Sequence, residues 1–472
     1  MFKKLGQLDL TQGNPTKQIV LFSIPLIIGN FAQQLYNTVD AIVVSHYIGD
    51  NALGAVGASF PIINFIIVLF VAIATGTSVL IGQYYGAKDR ENLSKTMGTC
   101  LLWVLYASIG ISAVGYFVAD PLLHLLNTPV ELFDMTSVYL KTIFIGVLGI
   151  GAYNILTGAL RAMGDSIFPL IALLISTLLN VVLDILFVSV FRWGTFGVAI
   201  ATVIAQTISA ILCLFRLLSM KQLISLNKEN IRIDKEISKK MMFIGGPSAI
   251  TQSVFSLAML LIQGLSNSFG PAVVTANTTV MRIDGFVMLP IFTFGVAATT
   301  FTSQNVGAKR LDRVKEGAVS AIKVALTCSV TLAVLILLFG MQFAKIFTKT
   351  DEILELSARF LRILTVGYIM FTFTQVFGGV MRGAGDSVTP MWISIFTVVI
   401  MRTPLAYIMV ELTKTAANPA GNPAMVMLSH AIGWSVSGLL SVYFYKKGVW
   451  RRKLTFILEQ PTTDNVEEEV HA

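Results

Sequence analysis

Charge is what this chain has least of. Only 13% of its 472 residues are Asp, Glu, Lys or Arg, while 55% are hydrophobic. A soluble domain of this length would carry about a quarter charged residues, so a water-soluble globule is excluded. Cysteine is nearly absent as well. Cys100, Cys213 and Cys328 are far apart in apolar segments. Neither a disulfide framework nor a thiolate metal site follows, and the three read as small packing residues. Histidine is equally sparse: none of His46, His124, His430 and His471 stands close in sequence to another or to a cysteine. That removes the usual metal-ligand and nucleophile–base sets of a membrane-embedded enzyme. There is no Walker-type glycine loop and no His-Glu-x-x-His helix, so nothing in the chain points to an ATP-driven pump.

What is present is apolar sequence in repeated runs of about 20 residues, the length at which a helix crosses ~30 Å of hydrocarbon. The runs are continuous rather than alternating, which excludes a β-barrel. They predict an all-α membrane protein with twelve spans, at 17–46, 52–82, 94–118, 134–158, 167–190, 196–218, 240–268, 273–303, 316–340, 353–378, 388–411 and 424–446. The loops between them alternate in charge. One face gathers 25 of the 34 Lys and Arg residues, among them Lys3, Lys4, Lys17, Lys88, Arg90, Arg161, Lys228, Lys309, Arg382 and the Lys446–Lys453 cluster. The other face holds seven: Lys141, Arg192, Lys345, Lys349, Arg359, Arg362 and Lys414. The positive-inside rule assigns the rich face, and both termini, to the cytoplasm of a cell-membrane protein. The net charge of +8 is then a topology signal and does not call for a nucleic-acid partner. The polar start, Met1–Lys17, reads as a cytoplasmic arm rather than a cleaved signal peptide.

The sequence repeats itself. Gly86-Ala87-Lys88 returns as Gly307-Ala308-Lys309, 221 residues later. Arg161-Ala162-Met163-Gly164-Asp165-Ser166 returns as Arg382-Gly383-Ala384-Gly385-Asp386-Ser387 at the same offset, and Pro169 returns as Pro390. Glycine permits the tight turn, Asp-Ser caps the next helix, and the basic residues hold the turn at the inner face. Six spans per repeat is an even number, so the halves enter the membrane from one side. They are parallel repeats, related by an axis along the membrane normal. The expected domains are a six-helix lobe at 1–220, a charged cytoplasmic linker at 221–240, a second six-helix lobe at 241–450 and an acidic cytoplasmic tail at 451–472.

Ionisable groups inside spans are costly and are functional candidates by default. Few exist: Asp40 in the first predicted span, Asp184 in the fifth, Arg282 and Asp284 in the eighth and Arg402 in the eleventh. Counting about 1.5 Å per residue from the inner face puts Asn180 at about 20 Å and Asp184 at about 26 Å. Thr202 lies about 9 Å from the outer face, and Asp40 with Tyr36 and Asn37 reaches the same outer half. Two carboxylates, an amide and a hydroxyl make a small-cation site. Its oxygens suit sodium, and two desolvated carboxylates side by side suit a shared proton. No other metal site is expected. Tyr139 reaches that depth, and Pro25 allows a bend that would move Asp40 relative to Asp184. Tyr36, Asn37, Arg282 and Asp284 are candidates for a substrate cavity, Asp284 either attracting cations there or pairing with Arg402.

With these residues in view the chain resembles the multidrug and toxic compound extrusion (MATE) family, over residues 8–450. The ordered set of Gly-Ala-Lys turns, Arg…Gly-Asp turns, Pro25, Asp40, Asn180, Asp184 and Thr202 carries the resemblance. It implies antiport of amphipathic, often cationic organic compounds against protons or sodium, through a V-shaped cleft between two lobes. In members with a cation site in the first lobe, Asp40, Asn180, Asp184 and Thr202 occupy its positions, with Tyr139 nearby. Other members use acids in the seventh and tenth spans, where this chain has Gln263 and Gln375, so coupling is expected in the first lobe. No cofactor is implied beyond the coupling ion. The expected partners are small organic substrates and the bilayer, with the chain a monomer. The alternative is a flippase for lipid-linked saccharide precursors. Such cavities tend to need several basic groups and extra helices, whereas the cavity candidates here are mostly acidic.

Overall fold

The structure, a computed structural model, describes residues 7–451 apart from 127, 228 and 417. Lys3, Lys4, Lys228, Arg452, Lys453 and the acidic tail lie outside the described residues. Within them the chain is built of helices: α1 (Pro15–Tyr47), α2 (Asp50–Gly86), α3 (Arg90–Leu125), α4 (Val130–Ile145), α5 (Val147–Ala162), α6 (Ile167–Val190), α7 (Gly194–Ser219), α8 (Lys235–Asn267), α9 (Pro271–Gly307), α10 (Leu311–Lys345), α11 (Asp351–Gly383), α12 (Val388–Leu412) and α13 (Ala424–Lys447). Helices α4 and α5 form one span bent by 53°, which makes twelve spans in two groups of six. The bend falls at Gly146, where a Cβ would lie 2.2 Å from Val203 of α7. Only glycine lets the bent backbone sit against that helix.

The helices overrun their apolar runs, because a helix ends at a cap and not at the first charge. Asn14 opens α1 by accepting from Lys17 N–H at 3.1 Å, and Asp89 opens α3 by accepting from Asn92 N–H at 2.9 Å. Asp234 opens α8 by accepting from Glu236 and Ile237 N–H at 2.9 and 3.0 Å. Residues 235–240, expected in the linker, are therefore helical. The preceding connection is tied to α3: Ser225 N–H donates to Ser94 Oγ at 3.0 Å, and Thr99 Oγ1 donates to Arg232 O at 2.9 Å.

The parallel repeat is visible in reciprocal contacts at the face that carries the Gly-Ala-Lys turns, called here the basic face. A Cβ on Gly86 would lie 1.9 Å from Gln304 O, and a Cβ on Gly307 would lie 1.8 Å from Gln83 O. Gln83 Nε2 donates to Gly383 O at 3.1 Å, and Gln304 Nε2 donates to Ala162 O at 2.8 Å. Each contact is the other shifted by one repeat, as an axis between the halves requires. These contacts also correct the reading of the turns. The residue in the left-handed region is Lys88 (φ 60°) and Lys309 (φ 56°). Gly86 and Gly307 are there for close approach of α2 to α9. In the Arg…Gly-Asp turns, glycine does take the positive φ, at Gly164 and Gly385.

Residues 7–13 cross this face and bind both halves. Leu8 N–H donates to Gly164 O at 3.0 Å in the first half. In the second, Leu10 N–H donates to Gln304 Oε1 at 3.1 Å, Asn305 Nδ2 to Leu10 O at 3.1 Å and Arg313 to Gly13 O at 2.8 Å. Leu10 is 1% exposed. The expected polar arm is thus a clasp with a hydrophobic anchor.

Candidate cation site and central cleft

The carboxylates of α1 and α6 meet. Asp40 and Asp184 stand at hydrogen-bonding range of one another. Asn180 and Asp184, one turn apart on α6, are both 0% exposed. With its amide nitrogen toward Asp184, Asn180 donates to Asp184 Oδ2 at 2.9 Å, and its oxygen accepts from Thr202 N–H at 3.3 Å. Tyr36 OH reaches Thr202 Oγ1 at 3.5 Å, and buried Tyr139 is close enough to feel the charge of both acids. One oxygen of each acid, Asp40 Oδ1 and Asp184 Oδ1, is buried without a hydrogen-bond partner. Two facing carboxyls with orphaned oxygens need a proton or a cation between them, since a bare charge pair in a dry site costs several kcal/mol. The six residues drawn from the sequence thus fall in one place, with Tyr36 part of this group rather than of a separate cavity. Asn37, one residue on, is exposed.

Pro25 lies inside α1, which runs helically through it. It lines a cavity of about 230 Å³ in the first half together with Gly29, Asn30, Tyr153, Asn154 and Arg161. Free space beside the residue that can bend is what a bend needs.

A cleft runs between the halves. It has two connected chambers, of about 330 and 440 Å³, which share Val71, Thr75, Val296 and Arg382. The first is walled by Ile67, Phe70 and Ala74 and carries Arg161. The second is walled by Phe255, Phe292 and Ile393 and carries Gln375. Contacts between the halves include Asn30 Nδ2 donating to Thr293 Oγ1 at 2.9 Å and the stacked rings of Phe31 and Phe286, 6.0 Å apart.

Two candidates for the substrate cavity lie elsewhere. Asp284 is absent from the lining of either chamber. It accepts a hydrogen bond from Tyr368 OH and faces a smaller cavity of about 180 Å³ inside the second half, with Gln263, Arg402 and His430. It forms no ion pair with Arg402, whose Nε is buried without an acceptor. A tyrosine one helix away met the acid first, which residue spacing along single helices does not reveal. Arg282 is exposed and lies over the Phe347 ring at 5.7 Å, so its long side chain reaches outward instead of into the cleft. The charged side chains that do line the cleft are Arg161 and Arg382. On the sequence both count as loop charges, because an arginine at the end of a span satisfies the charge rule wherever its guanidinium points.

Two six-helix halves, a pair of facing acids in one of them and a cleft between them define a membrane transporter. The MatE family matches twice, at residues 25–186 and 247–408, and the chain belongs to that family. It is similar to the probable multidrug resistance protein YoeA of Bacillus subtilis, 28% identical over 93% of this chain and 94% of that one. It is also similar to the probable multidrug resistance protein YpnP of the same organism, 30% identical over 84% of this chain and 88% of the relative. Among solved structures it resembles one described as "Crystal structure of MATE in the bent conformation", with a TM-score of 0.86, 26% identity and coverage of 94% and 98% of the two chains. A second, a MOP superfamily transporter from Pyrococcus furiosus described by the "reverse polarity of binding pocket", matches with a TM-score of 0.86 at 26% identity over 96% and 99%.

Proposed function

We propose that this chain is an ion-coupled antiporter. It exports amphipathic organic compounds across the cell membrane by alternating access, with the basic face and both termini in the cytoplasm. The relatives named as multidrug resistance proteins support the cargo class. The observation that carries the coupling is the Asp40–Asp184 pair, facing, Asp184 buried and Asp40 half-buried, and left with one orphaned oxygen on each side. Asp40 rides on α1 beyond Pro25 and Asp184 on α6, so a bend of α1 separates or joins them. Occupancy of the pair then favours one bend over the other, and a ligand shifts an equilibrium only through such a difference in affinity. Two orphaned oxygens suffice for a shared proton. They are few for a sodium ion, because hard cations gather several oxygen ligands and the Asn180 oxygen is already engaged by Thr202.

Alternating access needs one face shut at a time. The basic face is shut by the glycine contacts of α2 with α9 and by the 7–13 clasp. The cleft walls set apolar groups, among them Phe70, Phe255, Phe292 and Ile393, beside Arg161, Arg382 and several hydroxyls, and the apolar part suits broad selectivity because dispersion and desolvation demand no fixed geometry. Transport by the reconstituted chain, with proton and sodium gradients imposed separately, tests the reading. Export driven by one gradient is expected, and no gradient-dependent movement of any amphipathic compound under either would overturn it.

A further inference from the structure

We infer that the cleft holds the anionic end of its cargo, an amphipathic oxyanion such as a carboxylate or phosphate, at Arg382, with Arg161 as a second cationic arm. The inference rests on the exporter reading for the word cargo, but the site is argued from its own chemistry. Arg382 stands where the two chambers join. It has no hydrogen bond to an acceptor and no ion pair among the described residues. The acid nearest in sequence, Asp386, is spent on its own turn, accepting from Thr389 N–H at 3.1 Å and from Thr389 Oγ1 at 2.7 Å. Its counterpart in the first half, Asp165, is taken by Arg216 at 2.8 Å and by Phe168 N–H at 3.0 Å. No carboxylate lines either chamber.

Three hydroxyls in the chamber that Arg382 also lines add an independent observation. Ser248, Thr374 and Ser387 all line the 440 Å³ chamber, and the Oγ atom of each is buried without a partner. Ser387 is 3% exposed. A free guanidinium that shares one chamber with unsatisfied hydroxyls is a donor set waiting for an acceptor. The repeat shows how the guanidinium comes to be free. In the first half Arg161 is held by its own helix, donating to Thr157 O at 3.1 Å and to Thr157 Oγ1 at 3.0 Å. The residue that corresponds to Thr157, 221 positions on, is Gly378. A Cβ there would come within 3.3 Å of Arg382 Nη1. The second half thus has no hydroxyl to tether its arginine, and the glycine leaves room for the guanidinium. Phe255, Phe292 and Ile393 supply the apolar wall for the rest of an amphiphile.

The oxyanion can belong to a free organic acid or to a phospholipid headgroup, and the test separates these. The full chain is placed in phosphatidylcholine nanodiscs and titrated with dodecanoate and, as the matched cation, dodecyltrimethylammonium, with empty discs subtracted. Retention of phosphatidylglycerol against phosphatidylcholine is measured in parallel by native mass spectrometry. Dodecanoate affinity or phosphatidylglycerol retention should fall about tenfold or more in Arg382→Gln, as loss of a charge-assisted bond implies. Arg382→Lys should keep most of it. Ser387→Ala should weaken anion binding without lowering the melting temperature, because its hydroxyl has no bond to lose in the free protein. The probe that depends on Arg382 identifies the source. If neither does, or if the wild type prefers the cation, the inference is overturned. If dodecanoate binds through Arg382 but nothing moves under either gradient, the exporter reading falls and the anion site stands.

Discussion

Closing of the basic face depends on two hydrogen atoms, those that Gly86 and Gly307 carry in place of a side chain. A methyl group on Gly307 would sit 1.8 Å from Gln83 O. Carbon and oxygen do not approach within about 3 Å, so α2 and α9 would have to part by about 1.2 Å at this point, and packed backbone yields poorly. Overpacking of this kind costs about 1–3 kcal/mol. The cost falls on the state in which the two helices touch, so Gly307→Ala should shift the balance away from that state by about 5–150-fold. Gly86→Ala should do the same, since its methyl would meet Gln304 O at 1.9 Å. Gly57→Ala, also in α2, would meet nothing within 4 Å and serves as the control. Spin labels on the basic face, one in each half, should report a longer distance in Gly307→Ala and Gly86→Ala and an unchanged one in Gly57→Ala. Wild-type distances in all three variants would refute the claim that this contact closes the face.

Other variants follow from the same structure. Leu10→Ala removes the anchor of the clasp and should lower stability by about 2–5 kcal/mol, read as a lower melting temperature and an easier opening of the basic face. Arg216→Ala leaves Asp165, 0% exposed, without its cation and should cost about 3–5 kcal/mol by the same melting assay. Asn180→Ala removes the amide that donates to Asp184 Oδ2 and should cost about 0.5–1.5 kcal/mol, with impaired coupling in the transport assay. Pro25→Ala restores a backbone donor to α1 and should slow gradient-driven export while leaving the melting temperature the same or higher.

Much of this was legible because membranes make sequences simple. Continuous apolar runs fix span number, and the Gly-Ala-Lys and Arg…Gly-Asp turns at one offset fix the parallel repeat. Asp40, Asn180, Asp184 and Thr202 could be brought together from depth alone, since a helix rises evenly and few polar groups compete. Direction around the helix was the missing information. Depth puts Arg282 and Asp284 near one level, yet one lies over Phe347 and the other bonds Tyr368. Arg161 and Arg382 looked like topology signals, because charge at a span's end carries no mark of whether it faces water, lipid or a cleft. The clasp was hidden for a different reason: a short polar segment shows its partners only once Gln304, Asn305 and Arg313 are folded beside it.

The measurement closest to the central claim is gradient-driven export by Asp40→Asn and Asp184→Asn. Each variant keeps the size and hydrogen-bonding shape of the acid but cannot carry its charge. The purified variants should melt close to the wild type and still bind cargo, yet move none of it under a proton gradient or a sodium gradient. Normal export by both variants under both gradients would show that the acid pair is structural and that coupling lies elsewhere in the chain.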